Sequence, residues 1–164
     1  IILNRDKYLS WDNSTTVDVI LDVLEKNIDI ENIILLQWTS PLRDSINIDE
    51  SVKLFINNKM NNNIISINKV NNSPYWQYKI DNNWILKNLF NKKYLTYRSQ
   101  DLPYTYIPNW AIFISSSRVF KKHLTFYWKN IIPYIMDKEK SIDIDEISDF
   151  KYAEFLLLNK INEK

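Results

Sequence analysis

The chain has 164 residues, of which 45% are hydrophobic and 25% are charged, as expected of a single globular domain. Its net charge of +1 argues against a basic domain that binds nucleic acid. It has no Cys, no Gly and only one His, which excludes thiolate metal sites, multi-histidine metal sites and glycine-rich phosphate loops within the chain.

The first part of the chain alternates between apolar runs and amphipathic stretches. Residues 1–3 form a short apolar run that suggests a strand. Apolar residues recur at helical spacing over about 16–27, and the run at 33–36 is typical of a strand buried on both faces. A second amphipathic helix covers residues 48–56, and residues 64–70 alternate like a strand.

The rest of the chain starts with an aromatic segment, residues 71–105. Two antiparallel strands are predicted there, at 75–80 and 84–86, around a turn at 81–83. A buried strand follows at 111–114, another lies within 126–136, and a last helix begins near Ser148. No run of 18 apolar residues suggests a membrane span.

The strand–helix–strand order predicts an α/β fold with a mostly parallel sheet between helices. No linker divides the chain, so residues 1–164 are predicted to form one domain, with 71–105 as an inserted arm. In such sheets ligands bind at the carboxyl edge of the strands, where residues 37–43 form a polar loop. Arg43 in this loop could bind a phosphate or a carboxylate, although ordinary turn chemistry explains the same residues about equally well.

The most specific constellation is the pair Asp143 and Asp145. In an extended segment, residues two apart point to the same side, so both carboxylates could share one divalent ion. The alternative is a pair of solvated aspartates before a helix. Arg98 and Gln100 form a second polar patch, for which the alternative is a surface Arg stacked on Tyr. His123 is expected on an exposed helix face.

Four stretches of the chain together resemble the acylneuraminate cytidylyltransferases, and they occur in the order found in that family. They are Arg5 with DNST at 12–15; LLQWTSPLR at 35–43; RSQDLP at 98–103 with PNWAIF at 108–113; and SIDID at 141–145 with the residues around Asp149. The resemblance extends over nearly the whole chain.

This resemblance implies a three-layer, Rossmann-like nucleotidyltransferase fold that works as a homodimer through residues 71–105. It implies transfer of CMP from CTP to an acidic nonulosonic sugar, of the sialic or legionaminic type, with Mg²⁺ and release of pyrophosphate. Asp143 and Asp145 would be the catalytic, metal-binding pair. The other implied assignments are sugar contacts for Gln37, Arg98, Gln100 and Asn109, and nucleotide contacts for Arg5, Ser14, Thr15 and Thr16.

The sequence departs from the family at three places. The family begins with a strand and a loop rich in Gly, Arg and Lys, so this chain is expected to be N-terminally truncated and inactive alone. Phe113 stands where the family often has Tyr, and Trp110 stands where it has Gly. The alternatives left open are transfer to pseudaminic or 3-deoxy-octulosonic acid, and a noncatalytic sugar- or nucleotide-binding module. A cytoplasmic location without membrane or nucleic-acid partners is expected.

The chain has no Gly but six Trp, and several of these Trp stand where a small residue is expected. Trp84 follows a predicted hairpin turn, where a residue of positive φ is favoured. One hypothesis is that the source organism reads UGA as glycine and that UGA has been translated here as Trp. Gly would then occupy positions 110, 84, 128 and 11.

Overall fold

The computed structural model describes residues 2–11 and 13–162, with side chains through residue 159. It confirms an α/β fold. The helices are α1 (Thr16–Lys26), α2 (Ser45–Asn57), α3 (Ser117–His123) and α4 (Ile147–Asn162). The strands are β1 (Asn32–Leu35), β2 (Ile64–Lys69), β3 (Tyr78–Ile80), β4 (Leu86–Asn88), β5 (Tyr106–Ser116) and β6 (Ile132–Ile135). The strand predicted at residues 1–3 is absent at Ile2 and Leu3, and Ile1 lies outside the described residues.

The helix predicted over 16–27 is confirmed as α1, and its start is fixed by a capping box. The Oγ1 of Thr15 accepts a hydrogen bond from the backbone N–H of Asp18 at 3.2 Å. In return, the Asp18 carboxylate accepts from the backbone N–H of Thr15 at 2.8 Å. Two N–H groups left unpaired by the helix are thereby satisfied, and Thr16 begins the first turn.

The main sheet has the order β1-β5-β2-β6 and is mixed, which corrects the expected mostly parallel sheet. Strand β5 is antiparallel to both β1 and β2, whereas β2 and β6 are parallel. The apolar run at 33–36 is therefore at an edge of the described sheet and is only half-buried, so its predicted burial on both faces is wrong. The strand with the most buried residues is β5, which pairs on both sides.

Helices cover both faces of the sheet, which gives three layers. On one face Phe55 of α2 packs against Ile64, Ile112 and Ile114. On the other face Leu24 of α1 and Phe120 of α3 pack with Ile65, Phe113 and Phe126. Neighbouring residues of one strand thus enter opposite cores, as the period of two requires.

Residues 71–105 form a separate two-stranded sheet, β3–β4, together with short 3₁₀ helices. The second strand of this arm, predicted at 84–86, is β4 and begins two residues later, at Leu86. Tyr75 packs on Phe90 and Tyr94, and the indole Nε1 of Trp76 donates to the carbonyl of Tyr94 at 3.0 Å. Within the described residues, every helix is too short or too polar to cross a membrane.

Candidate functional site

A β-bulge in β5 is the geometric centre of the candidate site. Ile65 of β2 lies opposite Phe113, and Ile67 lies opposite Pro108, so residues 109–112 of β5 face Ser66 alone. The Oγ of Ser66 accepts from the backbone N–H of Ile112 at 2.7 Å and donates to the Oδ1 of Asn109 at 2.5 Å. The Ser66 hydroxyl thereby pairs two groups: the backbone N–H of Ile112, which the bulge removes from the β-ladder, and the side-chain oxygen of Asn109.

Asn109 is buried in this bulge, and both ends of its amide are used internally. Its Oδ1 accepts from Ser66 and from the backbone N–H of Ala111, at 3.3 Å. Its Nδ2 donates to the Oγ of Ser141 at 2.8 Å and to the Sδ of Met136 at 3.3 Å. The predicted contact between Asn109 and a sugar therefore requires that one of these bonds be exchanged, and it stays a prediction.

The polar loop at residues 37–43 is tied to the same bulge. Arg43 donates through one guanidinium nitrogen to the carbonyls of Gln37, at 3.0 Å, and Ala111, at 2.8 Å. The Oγ of Ser40 donates to the carbonyl of Asn109 at 3.4 Å. Partial burial lowers the pKa of Arg43, but a guanidinium stays charged. Arg43 thus holds the loop against β5.

The segment with the two aspartates lies against this loop. The backbone N–H of Ile144 donates to the carbonyl of Thr39 at 2.9 Å, and Ser141 is held by Asn109. Asp143 is half-buried, whereas Asp145 is exposed. Asp149 accepts from the backbone N–H groups of Asp145 and Glu146, at 3.1 and 2.8 Å, which anchors the start of α4. Three predicted stretches are thus joined by hydrogen bonds.

The chemistry of Asp143 fits a hard cation. Its Oδ1 is buried and is one of two buried side-chain polar atoms without a hydrogen-bond partner among the described residues. A carboxylate oxygen left in this way is costly unless a cation or water satisfies it. Among the side chains described, in residues 2–11 and 13–159, no group of three His, Cys, Asp or Glu could hold a metal ion. Mg²⁺ commonly needs only one or two carboxylates, with phosphate and water as its remaining ligands.

A cavity of about 230 Å³ brings together a predicted nucleotide residue and a predicted sugar residue. It is lined by Thr16, Gln37, Trp110 and Tyr127, among others. Burial raises the pKa of the Tyr127 hydroxyl, which stays protonated at neutral pH. The indole of Trp110 lies 5.9 Å from the ring of Phe113 and forms part of the cavity wall.

The predicted sugar residues of the arm are placed elsewhere. Gln100 lines a cavity of about 380 Å³ with Lys69 and Tyr104 at the base of the arm. The guanidinium of Arg98 is largely exposed and pairs with Asp101, with its Nε 2.8 Å from the carboxylate. A substrate carboxylate would therefore have to replace Asp101 as the partner of Arg98.

Of the remaining predicted nucleotide residues, Arg5 and Ser14 line two different cavities. Arg5 donates to the Oγ of Ser10 at 3.1 Å, and the Ser14 hydroxyl donates to the carbonyl of Tyr8 at 2.7 Å. Ser14 lines a cavity of about 440 Å³ beside α1. Thr15 is occupied by the capping box, whose hydrogen bonds also lower the pKa of Asp18. Asp12 of the same stretch lies outside the described residues.

Sequence reasoning missed two residues on which the site depends. Ser66 supports the bulge, and Ser141 links Asn109 to the aspartate segment. A serine inside a strand pattern gives no signal of such a role, because only the pairing register shows that Ser66 lies opposite a bulge.

Comparison with known proteins confirms the resemblance seen in the motifs. The chain is 33% identical over 157 residues to an N-acylneuraminate cytidylyltransferase of Streptococcus agalactiae serotype III, covering 91% of the chain and 36% of that protein. It is 32% identical over 162 residues to the Escherichia coli protein of the same name, covering 99% of the chain and 38% of that protein. A CMP-N,N'-diacetyllegionaminic acid synthase of Legionella pneumophila is 25% identical, with 93% of the chain and 67% of that protein covered. The chain thus spans just over a third of the first two relatives. No family model matches it.

Proposed function

Because the chain is homologous over nearly all its length to part of the N-acylneuraminate cytidylyltransferases, we propose that it is part of a cytidylyltransferase. The reaction is transfer of CMP from CTP to the anomeric hydroxyl of an acidic nonulosonic sugar, with release of pyrophosphate. The observation that supports this most is the hydrogen-bonded connection of the loop at 37–43, the bulge at Asn109 and the segment at 141–145.

Within this proposal, Asp143 and Asp145 hold Mg²⁺. The unpartnered Oδ1 of Asp143 supports its role as a ligand, and the exposed Asp145 is accessible for a second contact. When bound there, Mg²⁺ would neutralise negative charge on the phosphate oxygens of the nucleotide. The protein's own contribution is to fix the aspartate segment through Thr39 and Asn109.

The cavity that contains Thr16 and Gln37 is the proposed meeting point of nucleotide and sugar. Gln37 presents an amide that can bind a sugar hydroxyl, and Thr16 presents a hydroxyl at the start of α1. Arg98 is proposed to bind the carboxylate of the sugar, which would replace Asp101 as its partner. Arg5, Ser14 and Thr15 are proposed to act on the nucleotide side.

The arm is proposed as the dimer interface. Its outer surface exposes apolar side chains that include Ile80, Trp84 and Leu86, and exposed apolar patches mark interaction sites. The second copy would cover these side chains.

The test is pyrophosphate release from CTP by the protein made from the complete reading frame, with Mg²⁺ and a panel of acidic sugars. Sialic, legionaminic, pseudaminic and 3-deoxy-octulosonic acids are compared with a reaction without sugar. We expect release with sialic or legionaminic acid. Pyrophosphate release only with pseudaminic or 3-deoxy-octulosonic acid would show that the acceptor is that sugar instead. Binding of CTP or sugar without pyrophosphate release would favour the noncatalytic alternative.

A further inference from the structure

Two tryptophans lie in the left-handed region of backbone space. Trp84 has φ of 59° and Trp110 has φ of 61°. For residues other than Gly, Asn and Asp, this region is sterically costly, and a bulky residue there is an outlier. Five other non-glycine residues have positive φ among those described. Seven residues drawn at random from a chain with six Trp in 164 would include about 0.3 Trp, and the structure has two.

Trp84 closes the hairpin turn between β3 and β4. Its backbone N–H donates to the carbonyl of Asp81 at 3.0 Å, and the N–H of Asp81 donates to the carbonyl of Ile85 at 3.0 Å. A turn followed by a left-handed residue before the second strand is the three-residue hairpin loop in which Gly is the usual occupant. The indole of Trp84 is 85% exposed, so packing does not explain its presence.

Trp110 lies within the bulge of β5, directly after Asn109. Buried hydrogen bonds hold the backbone on both sides of Trp110, since the Asn109 amide and the N–H groups of Ala111 and Ile112 are all paired there. Gly is the residue typical of such a bulge position, since it has no Cβ. The indole instead occupies the wall of the cavity that contains Thr16 and Gln37.

Composition points in the same direction. Average usage of about 7% would give roughly eleven Gly in a chain of this length, and there is none. Ile, Asn and Lys, which have AT-rich codons, make up 63 of the 164 residues. A gene poor in G and C explains few Gly, but it would also reduce Trp, whose only standard codon, UGG, has two G.

We infer that positions 84 and 110 are glycine in the functional protein, encoded by UGA codons that its own ribosomes read as glycine. Glycine at 110 removes the indole from the cavity wall, so the cavity that contains Thr16 and Gln37 is larger in that protein. The backbone does not require Gly at Trp11, where φ is −81°, or at Trp128, which is not among the residues of positive φ. The ring of Trp128 also stacks on that of His123, with centroids 3.5 Å apart. The inference about the backbone is independent of the proposed function.

The first test is the nucleotide sequence of the gene together with mass spectrometry of peptides from the natural protein. We expect UGA at codons 84 and 110, and peptides that lack the mass of the indole-bearing side chain at both positions. UGG at either codon, or Trp in either peptide, would overturn the inference for that position.

The second test measures whether position 84 requires a residue without a Cβ. Trp84→Gly and Trp84→Ala both remove the exposed indole, so they differ only in the Cβ and in backbone freedom. We expect the Gly variant to melt about 2–4 °C above the Ala variant.

Trp38 provides the matched control, because it is 89% exposed, lies in a turn and is not among the residues of positive φ. At position 38 the Ala variant should melt at or above the Gly variant. The same order at both positions would contradict a specific demand for glycine at 84.

Discussion

The side-chain amide of Asn109 donates a hydrogen bond to the Oγ of Ser141 across 2.8 Å, although the two residues are 32 positions apart. This contact joins the bulge of β5 to the segment with Asp143 and Asp145. Ser141 in turn donates to the carbonyl of Asp137 at 2.7 Å, which places it at the end of a short helical turn. The position of the two aspartates therefore depends on the buried amide of Asn109 in β5.

Asn109→Ala should destabilise the protein, because it leaves the buried hydroxyl of Ser66 and the N–H of Ala111 without their acceptor. Unsatisfied buried polar groups cost about 1–3 kcal/mol each in the free energy of unfolding. The measurement is urea unfolding. Asn61→Ala, at an exposed position, is the control and should stay within about 0.5 kcal/mol of the parent. Equal stabilities for the two variants would show that the amide network does not support the fold.

In the protein made from the complete reading frame, Asp143→Asn and Asp145→Asn should reduce pyrophosphate release by orders of magnitude while the protein stays folded. Mg²⁺ should raise the melting temperature of the parent, since a ligand that binds only the folded state adds about 1.4 kcal/mol at ten times its Kd. This increase should be lost in Asp143→Asn. Asp49→Asn, on the exposed side of α2, should keep both activity and the response to Mg²⁺. A normal Mg²⁺ response in Asp143→Asn would contradict its assignment as a ligand.

The helices and strands could be predicted where periodicity is regular. The apolar face of α1 and the alternation of β2 both give the correct elements. The strand order could not be predicted, because β5 lies between β1 and β2 in the sheet although 36 residues separate it from β2 along the chain. Local periodicity holds no information about such a long-range pairing. The burial of residues 33–36 was overestimated for the same reason, since an edge strand and a central strand can have the same apolar run.

The structure joins the stretches around Gln37, Asn109 and Asp143 by hydrogen bonds, and the ligand roles assigned to their side chains stay predictions. The partners that they use are mostly backbone carbonyls and small hydroxyls, which have no motif. Arg43 illustrates this: its charge suggested an anion ligand, but its described hydrogen bonds go to two carbonyls.

The exposed apolar surface of the arm leads to a prediction about assembly. Ile80 and Leu86 lie opposite each other in the β3–β4 pair and are 55% and 60% exposed. If a second copy covers them, Ile80→Lys with Leu86→Lys should convert a dimer to a monomer in light scattering, because burying two ammonium groups is unfavourable. Ile28→Lys, at an 81% exposed position outside the arm, should leave the dimer unchanged. A monomeric parent protein at micromolar concentration would contradict the proposed interface.

His123 leads to a prediction about pH, because it is the only His in the chain. Its ring stacks on Trp128, and desolvation, followed by the charges of Lys122 and Lys129, lowers its pKa in the folded protein. The unfolded chain, with a His pKa near 6.5, then binds more protons, so stability should fall as pH decreases through about 6.5. The measurement is the melting temperature between pH 7.5 and 5.5. His123→Gln should flatten this dependence, whereas Lys122→Gln should keep it in weaker form. Parallel curves for the parent and His123→Gln would show that the His123 pKa is unchanged by folding.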